Sequence, residues 1–191
     1  MKKYKVGIIG ATGMVGQRFA LLLENHPWFE PVCLAASANS AGKKYKDAVK
    51  KWLMPSPMPA SLADITVMDA TADREKIASL VDFCFCAVNM KKDEIRALEE
   101  AYAKAECPIV SNNSAHRFTD DVPMIIPEVN PEHLEVISAQ KKRLGTKRGF
   151  IAVKSNCSLQ SYVPLLHALK EYGIKCAAVT TYQAISGAGK V

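Results

Sequence analysis

The chain has 191 residues, 49% of them hydrophobic, and its 25 lysines and arginines outnumber 19 acidic side chains for a formal charge of +6. That apolar content is enough for a packed core, while no run approaches the ~20 apolar residues that a membrane-spanning helix requires. The basic clusters at Lys43-Lys44-Tyr45-Lys46, Lys50-Lys51, Lys141-Lys142-Arg143 and Lys147-Arg148 carry no nucleic-acid motif, which argues against a DNA or RNA partner and for a solvated surface with phosphorylated anions as ligands.

Strand-like and helix-like segments alternate from the start. Met1-Lys2-Lys3-Tyr4 leads directly into a strand over 4–9, with no signal-type apolar region, so a cytoplasmic location is expected. A helix over 14–25 follows, stopped by Pro27, and then a strand over 31–36. Residues 41–63 carry prolines at positions 55, 57 and 59, which predicts an extended loop. Strands over 65–68 and 81–88 bracket a short helix near 73–80. The helix over 93–105 has Ile95, Leu98 and Tyr102 on one stripe and charge opposite. A strand over 108–110 runs into a polar, proline-bearing connector over 111–130, long enough to carry function. A helix over 131–143 ends near Gly145, a strand begins at Phe150, a helix spans 158–172, and a long strand spans 174–185. This order predicts an α/β fold with a doubly wound, mostly parallel sheet in residues 1–149 and a second unit starting at 150.

The six cysteines are Cys33, Cys84, Cys86, Cys107, Cys157 and Cys176. Five stand in apolar strand-like runs, where cysteine behaves as a small buried hydrophobe, and this usage fits a reducing compartment. Cys84 and Cys86 alternate on one face with no second pair, so no metal site is expected. Cys157 differs. It lies in Lys154-Ser155-Asn156-Cys157-Ser158, between a strand and a helix start, where backbone N–H groups and a helix dipole favour the thiolate. A thiolate is the nucleophilic form, so Cys157 is the candidate catalytic residue.

The first strand runs into Gly10-Ala11-Thr12-Gly13-Met14-Val15-Gly16, a Gly-x-x-Gly-x-x-Gly variant of the dinucleotide fingerprint. Gly10 permits the turn, Gly13 lets backbone approach a pyrophosphate, and Gly16 lets helix and strand pack closely. Phosphates would rest on N–H groups at the helix start, with Thr12, Met14 and Val15 in contact. The end of the second strand offers Ser37, Asn39, Ser40 and Lys43 but no carboxylate to hold a ribose 2′-hydroxyl. That absence favours NADP over NAD.

Four segments in order resemble aspartate-semialdehyde dehydrogenase: the glycine turn, Ser111-Asn112-Asn113-Ser114-Ala115-His116-Arg117 with Pro127-Glu128-Val129-Asn130, Ser155-Asn156-Cys157-Ser158, and Thr181-Tyr182-Gln183-Ala184-Ile185-Ser186-Gly187-Ala188-Gly189. The Ser40-Ala41-Gly42-Lys43-Lys44-Tyr45 run resembles the archaeal and fungal branch. The resemblance implies NADPH-dependent reduction of L-aspartyl-4-phosphate to aspartate semialdehyde with phosphate release, toward lysine, threonine, methionine and isoleucine. It assigns Arg117, Asn156 and Gln183 to substrate, Gly187 to the nicotinamide end of the cofactor, and the catalytic base to a histidine beyond this chain. It further implies a Rossmann-type unit over 1–149, then over 150–191 the start of an α+β catalytic and dimerisation domain. The chain is thus expected to be an N-terminal half with little activity alone, whose full-length form is a homodimer or homotetramer. Asn39 stands where the branch often has arginine, and Ser155 where proline is frequent. An N-acetyl-glutamyl-phosphate reductase and a non-catalytic NADP-binding module are the alternatives.

Overall fold

The structure is a computed structural model that describes residues 2–185. Seven strands form one sheet: β1 (Tyr4–Ile9), β2 (Phe29–Ala36), β3 (Met68–Asp69), β4 (Phe83–Cys86), β5 (Ile109–Ser111), β6 (Met124–Ile125) and β7 (Ile151–Lys154). Their spatial order is β3-β2-β1-β4-β5-β7-β6, and every pairing is parallel. A parallel sheet is covered on both faces, so its strands must be apolar on both. The two-residue period divides them accordingly. Ile9, Cys33, Ala35, Cys84 and Cys86 pack into one core cluster, while Val6, Ile8, Leu34 and Ala36 join Phe83 and Phe85 in the other. This is the expected Rossmann-type arrangement. The order in which strands are added reverses between β1 and β4, which opens a crevice at the strands' carboxyl ends.

Helix α1 (Met14–Leu22) connects β1 to β2. It stops earlier than expected, because Asn25 adopts a left-handed φ of 54° ahead of Pro27. The 41–63 segment is not wholly extended but holds two short helices, α2 (Tyr45–Ala48) and α3 (Ala60–Ala63). Residues 65–66, expected in β3, pair instead with this segment: Lys44 bridges Thr66, and the Tyr45 N–H donates to the Ile65 carbonyl at 2.9 Å. Helix α4 (Arg74–Leu80) precedes β4, and α5 (Lys92–Lys104) precedes β5. The expected 131–143 helix is a 3-10 turn over Pro131–Val136 followed by α6 (Ile137–Leu144), which ends at left-handed Gly145.

Two further differences concern the carboxyl-terminal part. Strand β7, expected to open a second unit, lies inside the first sheet, between β5 and β6. The sheet therefore continues past residue 149. Helix α7 (Leu159–Ala168) contains Pro164 and gives way to a 3-10 turn at Lys170–Tyr172. No strand forms over 174–185 among the described residues, because no strand lies alongside to accept its backbone hydrogen bonds. Cys176, expected as a buried strand cysteine, is exposed in consequence, whereas Cys33, Cys84, Cys86 and Cys107 are buried.

Candidate active site

The glycine turn closes β1 and launches α1. The Gly10 and Ala11 N–H groups both donate to the Ala35 carbonyl, at 2.8 and 3.0 Å, which ties the turn to the end of β2. Gly10 has a φ of +86°, and a side chain there would meet the Ala87 backbone; one at Gly16 would overlap the Gly10 carbonyl. Gly13 is different, since a Cβ there would make only a 3.5 Å contact and its surface faces outward. The first α1 bond runs from the Gln17 N–H to the Gly13 carbonyl at 2.8 Å. The Met14 and Val15 N–H groups therefore lack intrahelical acceptors and present partial positive charge to an anion.

These groups form one wall of a cleft of about 880 Å³ at the carboxyl ends of β1, β4, β5 and β7. Of the residues expected to contact a cofactor, Thr12, Gly13, Met14, Val15 and Ser40 line it, while Gly10 and Gly16 lie beneath and shape the turn. Ser37 is not among the lining residues; it is exposed, and its carbonyl accepts the Ser40 and Ala41 N–H groups. Gly187 lies outside the described residues.

The opposite wall brings together all four residues assigned to catalysis and substrate: Arg117, Asn156, Cys157 and Gln183. Cys157 is exposed and stands one residue before Ser158, the cap of α7. Its Sγ lies 3.7 Å from Asn156 Oδ1 and 3.6 Å from Gln183 Nε2. Asn156 Oδ1 also accepts the Ser158 N–H at 2.9 Å, so it fixes the turn that carries the thiol. Arg117 Nε donates to the Lys154 carbonyl at 3.2 Å, which anchors the 111–130 connector to the end of β7.

Charge distinguishes this cleft from the rest of the surface. Lys50, Lys51, Lys92, Arg117 and Lys154 line it, and among the described residues no carboxylate does. Burial pushes the Lys154 ammonium below its ordinary range; Cys157 opposes that depression and Arg117 adds to it. A thiol, two cations that meet at the end of β7, and free helix N–H groups around one carboxylate-free cleft suit a ligand with several phosphates.

Two supporting side chains escaped the sequence reading. Tyr45 is fully buried, and its hydroxyl donates to the Ala11 carbonyl at 2.8 Å. Gln17 is also buried; its Nε2 donates to the Thr12 and Lys51 carbonyls, both at 3.0 Å, and its Oε1 accepts the Leu53 N–H at 2.8 Å. Together they clamp the 45–53 segment against the glycine turn. A hidden glutamine in an amphipathic helix was the one legible signal.

Comparison with known proteins agrees with this geometry. The family model described as "Semialdehyde dehydrogenase, NAD binding domain" matches residues 5–137. The chain is 42% identical over 189 residues to an aspartate-semialdehyde dehydrogenase of Aspergillus fumigatus, covering 98% of this chain and 50% of that protein. It is 41% identical to one from Archaeoglobus fulgidus, covering 98% and 52%. A crystal structure of the Candida albicans aspartate semialdehyde dehydrogenase with NADP superposes with a TM-score of 0.78 at 39% identity, covering 90% of this chain and 48% of that one. The chain thus spans about half the length of the curated relatives it matches. With its glycine turn, sheet order and matched segment in agreement, the chain belongs to the semialdehyde dehydrogenase family.

Proposed function

We propose that this chain supplies the NADP-binding and thiol-bearing portion of an aspartate-semialdehyde dehydrogenase. The enzyme reversibly converts L-aspartyl-4-phosphate and NADPH to aspartate semialdehyde, NADP and phosphate. One observation carries the reading: the exposed Cys157 thiol and the glycine turn open onto one cationic cleft. The residues present fit the dinucleotide. Gly13 leaves room for a pyrophosphate, Met14 and Val15 offer N–H groups, and the absence of a lining carboxylate tolerates a 2′-phosphate near Ser40.

The Cys157 thiolate attacks the acyl carbon, the bond to the phosphate oxygen breaks, and a thioester forms as phosphate leaves. Arg117 holds the phosphate through its planar donor fork, with Lys154 adding charge at the same end of the cleft. Gln183 Nε2, near the sulfur, orients the acyl oxygen. NADPH, when bound, supplies hydride to the thioester carbon; the carbon–sulfur bond then breaks and the thiolate is regenerated. The base needed in the reverse direction is assigned to a histidine of the whole protein outside this chain. We place the catalytic unit after Lys154, where β7 leaves the sheet, and expect the full-length form to be a homodimer or homotetramer.

The test is phosphate-dependent reduction of NADP by the full-length protein. Aspartate semialdehyde should support turnover, N-acetyl-glutamate semialdehyde should not, and Cys157→Ser should abolish the reaction. Preference for the acetylated substrate, or full activity in the serine variant, would reject the proposal.

A further inference from the structure

Helix α5 passes beneath the connector that carries Arg117, and one of its buried side chains is a carboxylate. Glu99 is 1% exposed. Its Oε1 accepts two side-chain hydrogen bonds from the connector, from Ser111 Oγ at 2.5 Å and Asn113 Nδ2 at 2.9 Å. Ser111 Oγ in turn accepts the Asn113 N–H at 3.0 Å. Glu99 Oε2 faces the His116 ring, 4.0 Å from Nε2, and the other ring nitrogen lies 3.1 Å from Thr119 Oγ1. One turn earlier on α5, Arg96 Nε donates to the Ala115 carbonyl at 2.9 Å. The same stretch presents Asn112, Asn113, Ser114 and Arg117 to the cleft.

A carboxylate is a costly way to fill this place. Its neighbours on the α5 stripe are Ile95, Leu98 and Tyr102, and an apolar residue would complete that stripe without desolvating a charged group. What an apolar residue lacks is an acceptor for two donors of the connector at once. Without one, the Ser111 hydroxyl would be a buried donor with no acceptor and Asn113 Nδ2 would keep only the Cys86 sulfur at 3.4 Å, a weak acceptor, so the connector would move to recover them.

We propose that Glu99 is the positioning residue of the anion-binding wall, acting through Ser111 and Asn113 to fix the 112–117 segment and so the reach of Arg117 toward the substrate phosphate. This rests on Arg117 holding the phosphate, as set out above. Glu99 touches no substrate. It shares no hydrogen bond with the glycine turn, so its influence on anion binding is separable from dinucleotide binding.

The experiment uses the full-length protein, inorganic phosphate as the probe, and alkylation of Cys157 by iodoacetamide read by mass spectrometry on its own peptide. Phosphate held at Arg117 shields the thiol, and the half-protecting concentration is compared across variants. Glu99→Ala should raise it about tenfold or more, the effect of losing a charge-assisted hydrogen bond. Glu99→Gln, whose amide oxygen still accepts, should restore protection, and Ser111→Ala, which removes one of the two bonds to Glu99 together with the acceptor of the Asn113 N–H, should fall between. NADPH affinity should be unchanged in all three. Unaltered phosphate protection in Glu99→Ala would overturn the proposal, as would an equal loss of phosphate and NADPH binding, which marks general collapse. Should Glu99→Ala fail to fold, Ser111→Ala decides, and unaltered protection there overturns it. Failure of phosphate to protect the unsubstituted protein would instead remove the phosphate role of Arg117, and the positioning role with it.

Discussion

The Tyr45 hydroxyl is the sharpest place to test how the cofactor wall is built. Tyr45→Phe removes one oxygen from a fully buried ring and leaves the packing volume nearly unchanged. The Ala11 carbonyl then loses the donor it meets at 2.8 Å, in a place that water does not reach. An unsatisfied buried acceptor costs about 1–3 kcal/mol, which in a chain of this size lowers the melting temperature by about 2–12 °C. Burial also pushes the phenol above its ordinary pKa, so the hydroxyl stays neutral and the loss should not depend on pH between 5 and about 9. Ala11 precedes Thr12 in the cleft, so the freed peptide should also weaken NADPH binding. Tyr102→Phe is the control. Its hydroxyl donates to the Ala70 carbonyl at 2.7 Å with the ring equally buried, but Ala70, unlike Ala11, has no chain neighbour that lines the cleft. Differential scanning fluorimetry should show both variants destabilised, and calorimetry should show weakened NADPH binding in Tyr45→Phe alone. An unchanged melting temperature in Tyr45→Phe, or equal loss of NADPH affinity in both, would refute the reasoning.

Two other predictions concern the seam between α5 and β7. A Cβ at Gly149 would overlap the Ala103 carbonyl of α5, and backbone cannot step aside as a flexible side chain would. Gly149→Ala should therefore cost about 3 kcal/mol, the upper end for overpacking, seen as a lower urea midpoint at unchanged slope; an unaltered midpoint would contradict it. The Glu106 carboxylate accepts the Lys147, Arg148 and Gly149 N–H groups, and these bonds hold its pKa down to about 2. A depressed carboxylate contributes stability above its unfolded pKa of about 4.5 and loses it as pH falls toward 2. The melting temperature should thus fall more steeply over that range in the unsubstituted protein than in Glu106→Gln, and parallel curves would remove the assignment.

The nucleotide wall was legible in the sequence because its signals are local. A strand, three spaced glycines and a helix start lie within one short stretch, and glycine requirements follow from backbone sterics alone. Cys157 was legible for a similar reason, being the one cysteine in polar surroundings at a strand-to-helix junction. Glu99 was hidden because its position on an amphipathic helix reads as part of the charged face. Its partners Ser111 and Asn113 lie 12 and 14 residues away, and only packing of α5 under the connector shows that the carboxylate points inward. The place of β7 was hidden too. Periodicity identifies a strand but not its neighbours, and Val153 pairs with Ser111 across 42 residues of chain. Residues 174–185 have strand propensity, yet propensity yields a strand only where a partner edge lies alongside.

The wedging of β7 between β5 and β6 also bears on the order of assembly during synthesis. Within the sheet β6 pairs only with β7, and the connector bearing Arg117 is anchored to the Lys154 carbonyl. By residue 150 the glycine turn, β1, β2 and β4 and the helices between them have all been synthesised. The carbonyl that anchors Arg117, that of Lys154, comes four residues later. In the order of synthesis the glycine turn and its Gln17 and Tyr45 supports therefore come before the turn that carries the Cys157 thiol.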